Sequence, residues 1–277
     1  MRTLFAFGLM LFATSLVQGG TRLEVERYNQ DGERDSTLTI QVQDGKLRMD
    51  QVDEEQQRSA FIYDGQRIID ANLSEFSYAV IERGVLEAAK AKQNPRAALR
   101  EQLLAEVPSQ RRADSIRVMS SPPTPFRNQR GEVTIERTSR SQDAAGLHCD
   151  VYRVLISKEL RYEYCVATAT AAAPFREFVE SGARATELLK DFFGMVGMPW
   201  MQDSLHLYWT HAYDIEGVPL HVREFEDGAL VCEFRVRSIK AEPVDPGVFE
   251  VPQHLHRRAI LDFSAPPFTG TDEGKEN

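Results

Sequence analysis

The sequence predicts an α+β fold in which an antiparallel β-sheet is interrupted by two helical segments. Asp-Gly pairs at residues 31–32, 44–45 and 64–65 separate segments of strand-like composition, which is the usual signal of β-hairpins. Apolar residues recur instead at helical spacing over residues 83–107 and again over residues 174–196. Strand patterns return after each helical segment, so the chain predicts two passes of strands followed by helices.

The first pass of strands is predicted to be a meander. The stretch STLTIQVQDGKLRMDQ alternates on both sides of its Asp-Gly pair, with Leu38, Ile40 and Val42 on one face. The alternation continues to Ile81, which gives about five short antiparallel strands. A last group of strands is predicted at residues 206–213, 218–225 and 229–240.

The first helical segment is expected to contain two helices. Asn94 followed by Pro95 fits an N-cap and a first helical residue. The second helix should therefore run from Pro95 to about Glu106 and end before Pro108. The stretch SSPPTPF, residues 120–126, is expected to be an extended connector.

The N-terminal residues have the pattern of a secretory signal peptide. Arg2 precedes an uncharged, mostly apolar run at residues 4–16, and cleavage is expected after Gly19. The apolar run is shorter than the ~20 residues that a membrane-spanning helix needs. No cysteine lies near the cleavage site, so the mature protein is expected to be soluble and without a lipid anchor.

Two of the three cysteines lie on the arms of a predicted hairpin, GLHCDVYRVLISKELRYEYCVA. A turn centred on Ser157 places Cys149 opposite Cys165, within the Cα separation that a disulfide accepts. Two buried reduced thiols are the alternative. Export to an oxidising compartment favours the disulfide, which leaves Cys232 as a buried thiol or a partner in an intermolecular bond.

Composition and motifs argue against several classes of function. The formal net charge is −9 and both signs are interspersed, so nucleic acid is not an expected partner. HExxH, GxSxG, P-loop, GxGxxG and CxxC motifs are all missing, so no catalytic residue, cofactor or enzymatic activity is predicted. Carboxylate pairs such as Glu224 with Glu226 leave a hydrolase open. No metal site is predicted, because His206 and His211 should point to opposite faces of one strand.

The methionine-rich and aromatic stretch at residues 188–201 is the strongest candidate for function. In one interpretation its apolar stripe is ordinary core packing of a helix against a sheet. In the other, flexible methionines make an adaptable lid, and the side chains of Leu188, Phe192, Met195 and Met198 contact an apolar ligand.

Four stretches resemble a family of exported bacterial proteins of unknown function that is related to the outer-membrane lipoprotein carrier (LolA) group. They are GKLRMD at residues 45–50, FIYDG at 61–65, CDVYRV at 149–154 and PGVFEVP at 246–252. The resemblance implies a strongly curved antiparallel sheet, an incomplete β-barrel, with helices packed across its open mouth and an apolar cavity between them. The half-barrel domain would occupy residues 20–252, between the signal peptide at residues 1–19 and an expected disordered tail at residues 253–277.

The resemblance also implies a class of function. Carriers of this group hold acyl chains in the cavity, so the leading expectation is a periplasmic binding or chaperone-like protein that shelters an acyl chain or lipoprotein. The alternative is an envelope protein-interaction or sensing module without a lipid cavity. A large empty apolar cavity would favour the first, and a filled core with an exposed apolar patch would favour the second.

Overall fold

Twelve strands form one large curved sheet in the computed structural model, which describes residues 19–120, 132–168, 176–198, 215 and 217–262. The strands are β1 (Gly20–Asn29), β2 (Arg34–Gln43), β3 (Lys46–Asp53), β4 (Arg58–Tyr63), β5 (Arg67–Asn72), β6 (Ser77–Glu82), β7 (Val133–Ala144), β8 (Leu147–Ile156), β9 (Glu159–Thr168), β10 (Gly217–Glu226), β11 (Ala229–Glu242) and β12 (His256–Arg257). All neighbouring strands are antiparallel except β12, which runs parallel to β6.

The sheet does not close into a barrel. Its spatial order is β12-β6-β5-β4-β3-β2-β1-β11-β10-β9-β8-β7, so β12 and β7 form the two edges. The pairing of β1 with both β2 and β11 joins the two passes of strands into one layer. The predicted α+β class, with a curved antiparallel sheet left open as a half-barrel, is therefore confirmed.

Four α-helices cover the mouth of this half-barrel in the described part of the chain. They are α1 (Arg83–Lys90), α2 (Pro95–Glu106), α3 (Arg112–Ser120) and α4 (Arg176–Val196). The longest, α4, packs against α1 and α2 and against strands β2, β3 and β10. It therefore links both halves of the sheet.

The hairpin pattern folds as elementary backbone geometry requires. In β2, Leu38, Ile40 and Val42 are buried, and the residues between them are more exposed. Asp44 and Gly45 both have positive φ, 53° and 74°, as a two-residue type I′ turn demands. The tight turn fixes the register of β2 against β3 and keeps the apolar face toward the core.

Apolar residues cluster on both faces of the β4–β5 region. On the face covered by helices, Phe61 and Tyr63 join the main core. On the other face, Ile62 and Ile69 pack against Phe249, in a second cluster that the segment after β11 covers. These strands are buried on both sides, which explains their nearly continuous apolar sequence.

The predicted first helical segment is confirmed as two helices. The Asn94 side chain accepts a hydrogen bond from the backbone N–H of Ala97 at 3.3 Å, Pro95 is the first residue of α2, and the helix ends at Glu106. The meander contains six strands, not about five, because β1 also pairs within it. Sequence analysis missed α3, whose burial is limited to Ser115 and Met119.

The chain remains packed beyond the predicted domain boundary at residue 252. Residues 254–262, here named the C-terminal strap, include β12 and bury Leu255, Leu261 and Asp262. The first part of the predicted disordered tail, up to residue 262, is therefore packed against the domain, and residues 263–277 lie outside the described residues. So do the predicted signal peptide, apart from Gly19, the connector beyond Ser120 and the strand at 206–213. No described helix is long and apolar enough to cross a membrane.

Candidate functional site

The disulfide predicted in the β8–β9 hairpin is confirmed. Cys149 and Cys165 are bonded, with their Cα atoms 5.3 Å apart. Both cysteines are buried, whereas most residues of the neighbouring edge strand β7 are exposed. The crosslink therefore fastens β8 to β9 beside the open edge of the sheet.

The register used to predict that bond is wrong by two residues. Val151, not Cys149, lies opposite Cys165, so the disulfide runs diagonally between the strands. One part of the error is the turn, which has two residues with positive φ, Ser157 and Lys158, and not a single central residue. The other part is a bulge in β9 next to the turn, where the register shifts between Val154 and Leu155.

The predicted lid residues lie where α4 meets the main core. Leu188, Phe192 and Met198 are buried, and Met195 is half-buried against the same core. The helix thus turns its apolar stripe toward the sheet, as its 3.6-residue spacing requires. Trp200 and Met201, also part of the predicted stretch, lie outside the described residues.

Polar contacts hold α4 at two points. Near its start, the Glu177 carboxylate accepts a hydrogen bond of 2.5 Å from the backbone N–H of Gly45, in the β2–β3 turn. Further along, Lys90 at the end of α1 is 2.9 Å from Asp191. The helix ends before Gly197, whose φ of 83° is the left-handed conformation typical of a helix C-terminus.

The space beside Phe192 is small. Ile81 of β6, Leu86 of α1 and Leu103 of α2 line, with Phe192, a cavity of about 20 Å³, room for about one water molecule. Sequence analysis did not identify the three residues that line this cavity together with Phe192. The period-two and helical patterns mark Ile81 and Leu86 as core residues, but they do not indicate which helix covers them.

The third cysteine lies beside a carboxylate on β10. The buried Cys232 thiol donates a hydrogen bond of 3.3 Å to Glu224. Burial, with the neighbouring Glu224 charge, raises the pKa of Cys232 to about 12. Burial likewise raises the pKa of Tyr162 well above its ordinary value. Glu226, the other carboxylate of the candidate pair, lies 4.0 Å from Arg161.

Cys232 should therefore be unreactive in the native protein. Because the raised pKa leaves almost no thiolate at pH 8, iodoacetamide should modify the folded chain far more slowly than an exposed cysteine. In denaturant without reductant, we expect a single alkylation per chain, at Cys232. Peptide mass mapping measures both states, and rapid native labelling, or more than one modified site, would contradict the prediction.

Buried carboxylates on the other face of β9–β11 are neutralised by arginine. Glu163 contacts Arg140 at 2.5 Å and also faces Arg153 and Arg223. On the same face, Glu233 receives two hydrogen bonds of 2.9 Å from Arg235.

A histidine, His221, belongs to this network. His221 hydrogen-bonds to Glu233 through Nε2, and the Gln142 amide nitrogen is 3.1 Å from its Nδ1. Burial lowers the pKa of His221 although the Glu233 charge opposes that shift. The pKa of Glu233 is lowered overall. Burial alone would raise this pKa, but the hydrogen bond from Arg235 and the contact with His221 together outweigh burial. The network is a chain of ion pairs that stabilises the strands, and it gives no support to a hydrolase.

Metal ligands do not converge in the described residues, where no group of three or more His, Cys, Asp or Glu side chains is placed to hold an ion. His221 is bonded to Glu233, while His206 and His211 lie outside the described residues. The chemistry that the described chain offers is therefore hydrophobic burial under α4 and charge pairing at the surface.

Comparisons with known proteins find structural similarity only. No protein-family model and no curated protein matches the chain. An uncharacterized conserved protein from Thermus thermophilus aligns over 87% of this chain and 92% of its own, with 6% identity and a TM-score of 0.42. MucB aligns over 86% of this chain at 13% identity with a TM-score of 0.36, and this chain covers 59% of MucB.

MucB from the Pseudomonas aeruginosa MucA/MucB complex gives a similar result. It aligns over 86% of this chain and 58% of its own, with 13% identity and a TM-score of 0.37. At such low identities and TM-scores, these similarities establish no function.

Proposed function

We propose that the protein is an exported periplasmic binding module, not an enzyme, and that the α4-covered sheet is its binding element. The observation that carries this proposal is the burial of Leu188, Phe192 and Met198 across the mouth of an open half-barrel. A disulfide fits an oxidising compartment, and the N-terminal pattern of residues 1–19 fits export.

In the first mode of binding, an acyl chain or a lipoprotein's acyl group replaces the apolar face of α4 on the sheet. Displacing the helix would expose an apolar wall to water, at a free-energy cost of about 25 cal/mol per Å². An apolar ligand that covers this wall avoids that cost, which is its driving force for binding. The ion pair between Lys90 of α1 and Asp191 of α4 is exposed and contributes little to holding the helix in place.

A second mode is favoured by the cavity beside Phe192. At about 20 Å³ it is far below the ~300 Å³ typical of a ligand pocket, so the closed form has no preformed acyl site there. In this mode the helices are permanent core, and the protein acts as an envelope protein-interaction or sensing module through its surface.

Titration of delipidated protein with a fluorescent fatty acid distinguishes the two modes. In the first mode wild-type protein binds the probe, and Met195→Ala weakens binding several-fold because the half-buried side chain contacts the ligand. Val251→Ala is the matched control, since Val251 is half-buried in the second cluster on the opposite face. Thermal melts of both variants separate lost affinity from lost stability.

The outcome decides between the modes directly. Probe binding that Met195→Ala weakens and Val251→Ala leaves unchanged supports a lid. If wild-type protein binds no probe and both substitutions only lower the Tm, α4 is core and the carrier mode is wrong.

A further inference from the structure

Arginines form a layer on the face of the sheet that points away from α4. Residues directly opposite each other on neighbouring strands share a face, and the pairing across β8, β9, β10 and β11 runs through Arg153, Glu163, Arg223 and Glu233. Ion pairs on the same face define the arginine face, whose arginines are Arg34, Arg140, Arg153, Arg223, Arg235 and Arg237. It lies on the opposite side of the sheet from the cavity beside Phe192.

The carboxylates that pair with these arginines lie beneath them. The side chains of Glu163, Glu233 and Glu26 are 9%, 12% and 17% exposed, whereas those of the six arginines are between 39% and 63% exposed. Three carboxylates neutralise only half of the six guanidinium charges, and His221 adds no negative charge. The outer layer of this face is therefore positive, in a chain whose formal net charge is −9.

The excess of donors is largest around Glu163. Arg140, Arg153 and Arg223 each contact this carboxylate through a single nitrogen, at 2.5, 3.4 and 3.5 Å. A carboxylate has two oxygens, whereas a guanidinium carries five N–H donors, so one carboxylate cannot satisfy three guanidiniums. Solvent reaches the three arginine side chains but scarcely reaches Glu163, so a ligand that approaches from outside meets the arginines first.

Aromatic rings hold two of these guanidiniums in place. The guanidinium carbon of Arg223 lies over the Phe225 ring, 5.1 Å from its centroid, and that of Arg235 lies over the Tyr28 ring at 4.5 Å. A planar guanidinium that is stacked on a ring or paired with a carboxylate loses rotational freedom before a ligand arrives. Such preorganisation lowers the entropic cost of binding.

Separate carboxylates on a narrow chain fit this surface better than a continuous anionic layer does. The two oxygens of a carboxylate match the donor fork of arginine. Exposed Glu136, on β7 opposite Arg153, and Glu24, 42% exposed on β1, lie toward the two ends of the face and would repel a sheet of lipid headgroups. We propose that the arginine face docks an acidic segment of a partner protein, whose Asp and Glu side chains bind the exposed guanidiniums. The proposal goes beyond the binding function above and holds whether or not α4 moves.

Fluorescence anisotropy of a labelled hexaglutamate peptide, titrated with the exported protein, tests this docking surface. We expect hexaglutamate to bind and hexaglutamine, which has the same length without the charges, to bind at least about tenfold more weakly. Raising the salt concentration to about 1 M should weaken the binding of hexaglutamate, because the Debye length falls to about 3 Å and the exposed charges are screened.

A double substitution locates the bound peptide. Arg140→Gln combined with Arg153→Gln removes two exposed charges, while Arg223 remains as a partner for Glu163. We expect this variant to bind hexaglutamate about tenfold more weakly than wild type. Thermal melts show whether the variant keeps its fold.

Arg67→Gln combined with Arg117→Gln is the matched control. Arg67 and Arg117 are 47% and 74% exposed, and each is paired with a nearby carboxylate, Asp64 and Asp114. They lie on β5 and α3, outside the arginine face. The control changes the net charge by the same amount, so it should leave the affinity for hexaglutamate within about twofold of wild type if the location of the charges decides binding.

Several results would overturn the proposal: no binding of hexaglutamate at millimolar concentration, equal affinity for hexaglutamine, or equal losses in the two double variants. Sedimentation with phosphatidylglycerol vesicles tests lipid headgroups as the ligand. Vesicle binding that is tighter than hexaglutamate binding and is lost in the Arg140 and Arg153 double variant would assign the face to a membrane instead. None of these results bears on the fatty-acid titration, which reports on Met195, so failure here and failure of the proposed function are distinguishable.

Discussion

Replacing Phe192 with alanine should lower the free energy of unfolding by about 3–5 kcal/mol. The side chain is 2% exposed, its ring is edge-on to Phe193 with centroids 5.2 Å apart, and it faces the walls formed by α1, α2 and β6. Those walls already enclose a cavity and cannot collapse freely, so the truncation should leave much of its volume empty. Urea unfolding followed by circular dichroism measures the loss.

Phe249→Ala is the matched control for this truncation. Phe249 is 4% exposed and belongs to the second cluster, on the opposite face of β4 and β5. Its loss should be of similar size but should leave fatty-acid binding unchanged, whereas a lid function predicts that Phe192→Ala weakens it. A loss below about 1 kcal/mol for Phe192→Ala would mean that α4 is not firmly packed.

Local chemistry explains why much of this fold could be predicted from the sequence. Asp44 and Gly45 adopt positive φ in a way that few other residue pairs tolerate, so the hairpin that they mark is almost independent of the rest of the chain. Asn94 and Pro95 likewise define the start of α2 from within one turn. Where a structural feature depends only on residues close together in the sequence, the sequence pattern is enough to predict it.

The disulfide shows where such reasoning becomes less accurate. The pairing of Cys149 with Cys165 was predictable because it needs only a hairpin and an oxidising compartment. The register was not, since a bulge beside the turn displaces every pair beyond it, and no residue type marks that bulge. The bond still forms because side chains diagonally opposed on a twisted sheet can also come within reach.

Features that depend on distant parts of the chain could not be predicted. The strap has no strand pattern, since β12 is only two residues long and both are exposed. Its position comes from hydrogen bonds to β6 and to α3, and α3 itself has few buried residues. The place where these three elements meet is set by residues far apart in the sequence, so no local sequence signal points to it.

One ion pair links the strap to β5, and Arg258→Ala should lower the free energy of unfolding by about 2–4 kcal/mol at pH 7. Arg258 is 14% exposed and its partner Asp70, 26% exposed, lies on β5, so the substitution leaves a largely enclosed carboxylate without its cation. That exposure keeps the expected loss somewhat below the full cost of breaking a completely buried pair.

The size of this loss should depend on pH in a defined direction. Burial raises the pKa of Asp70 above its ordinary value although Arg258 opposes the shift. A carboxyl whose pKa is higher in the folded state than in the unfolded state binds more protons when folded, so lowering the pH through that interval stabilises the native state at this site. Without Arg258 the pKa of Asp70 in the folded state rises further, which widens the pH interval between its unfolded and folded pKa values. The deficit of Arg258→Ala relative to wild type should therefore shrink between pH 7 and pH 5, as the uncompensated Asp70 takes up a proton.

A second substitution at the partner position isolates the charge. Asp70→Asn combined with Arg258→Ala removes both charges and should cost less than Arg258→Ala alone, because an unpaired buried charge is more destabilising than a neutral amide. Urea unfolding of wild type, both single variants and the double variant at the two pH values completes a double-mutant cycle. Equal losses at both pH values, or a double variant whose loss equals the sum of the singles, would mean that the strap is held by its backbone hydrogen bonds and by Leu255 and Leu261, and not by this ion pair.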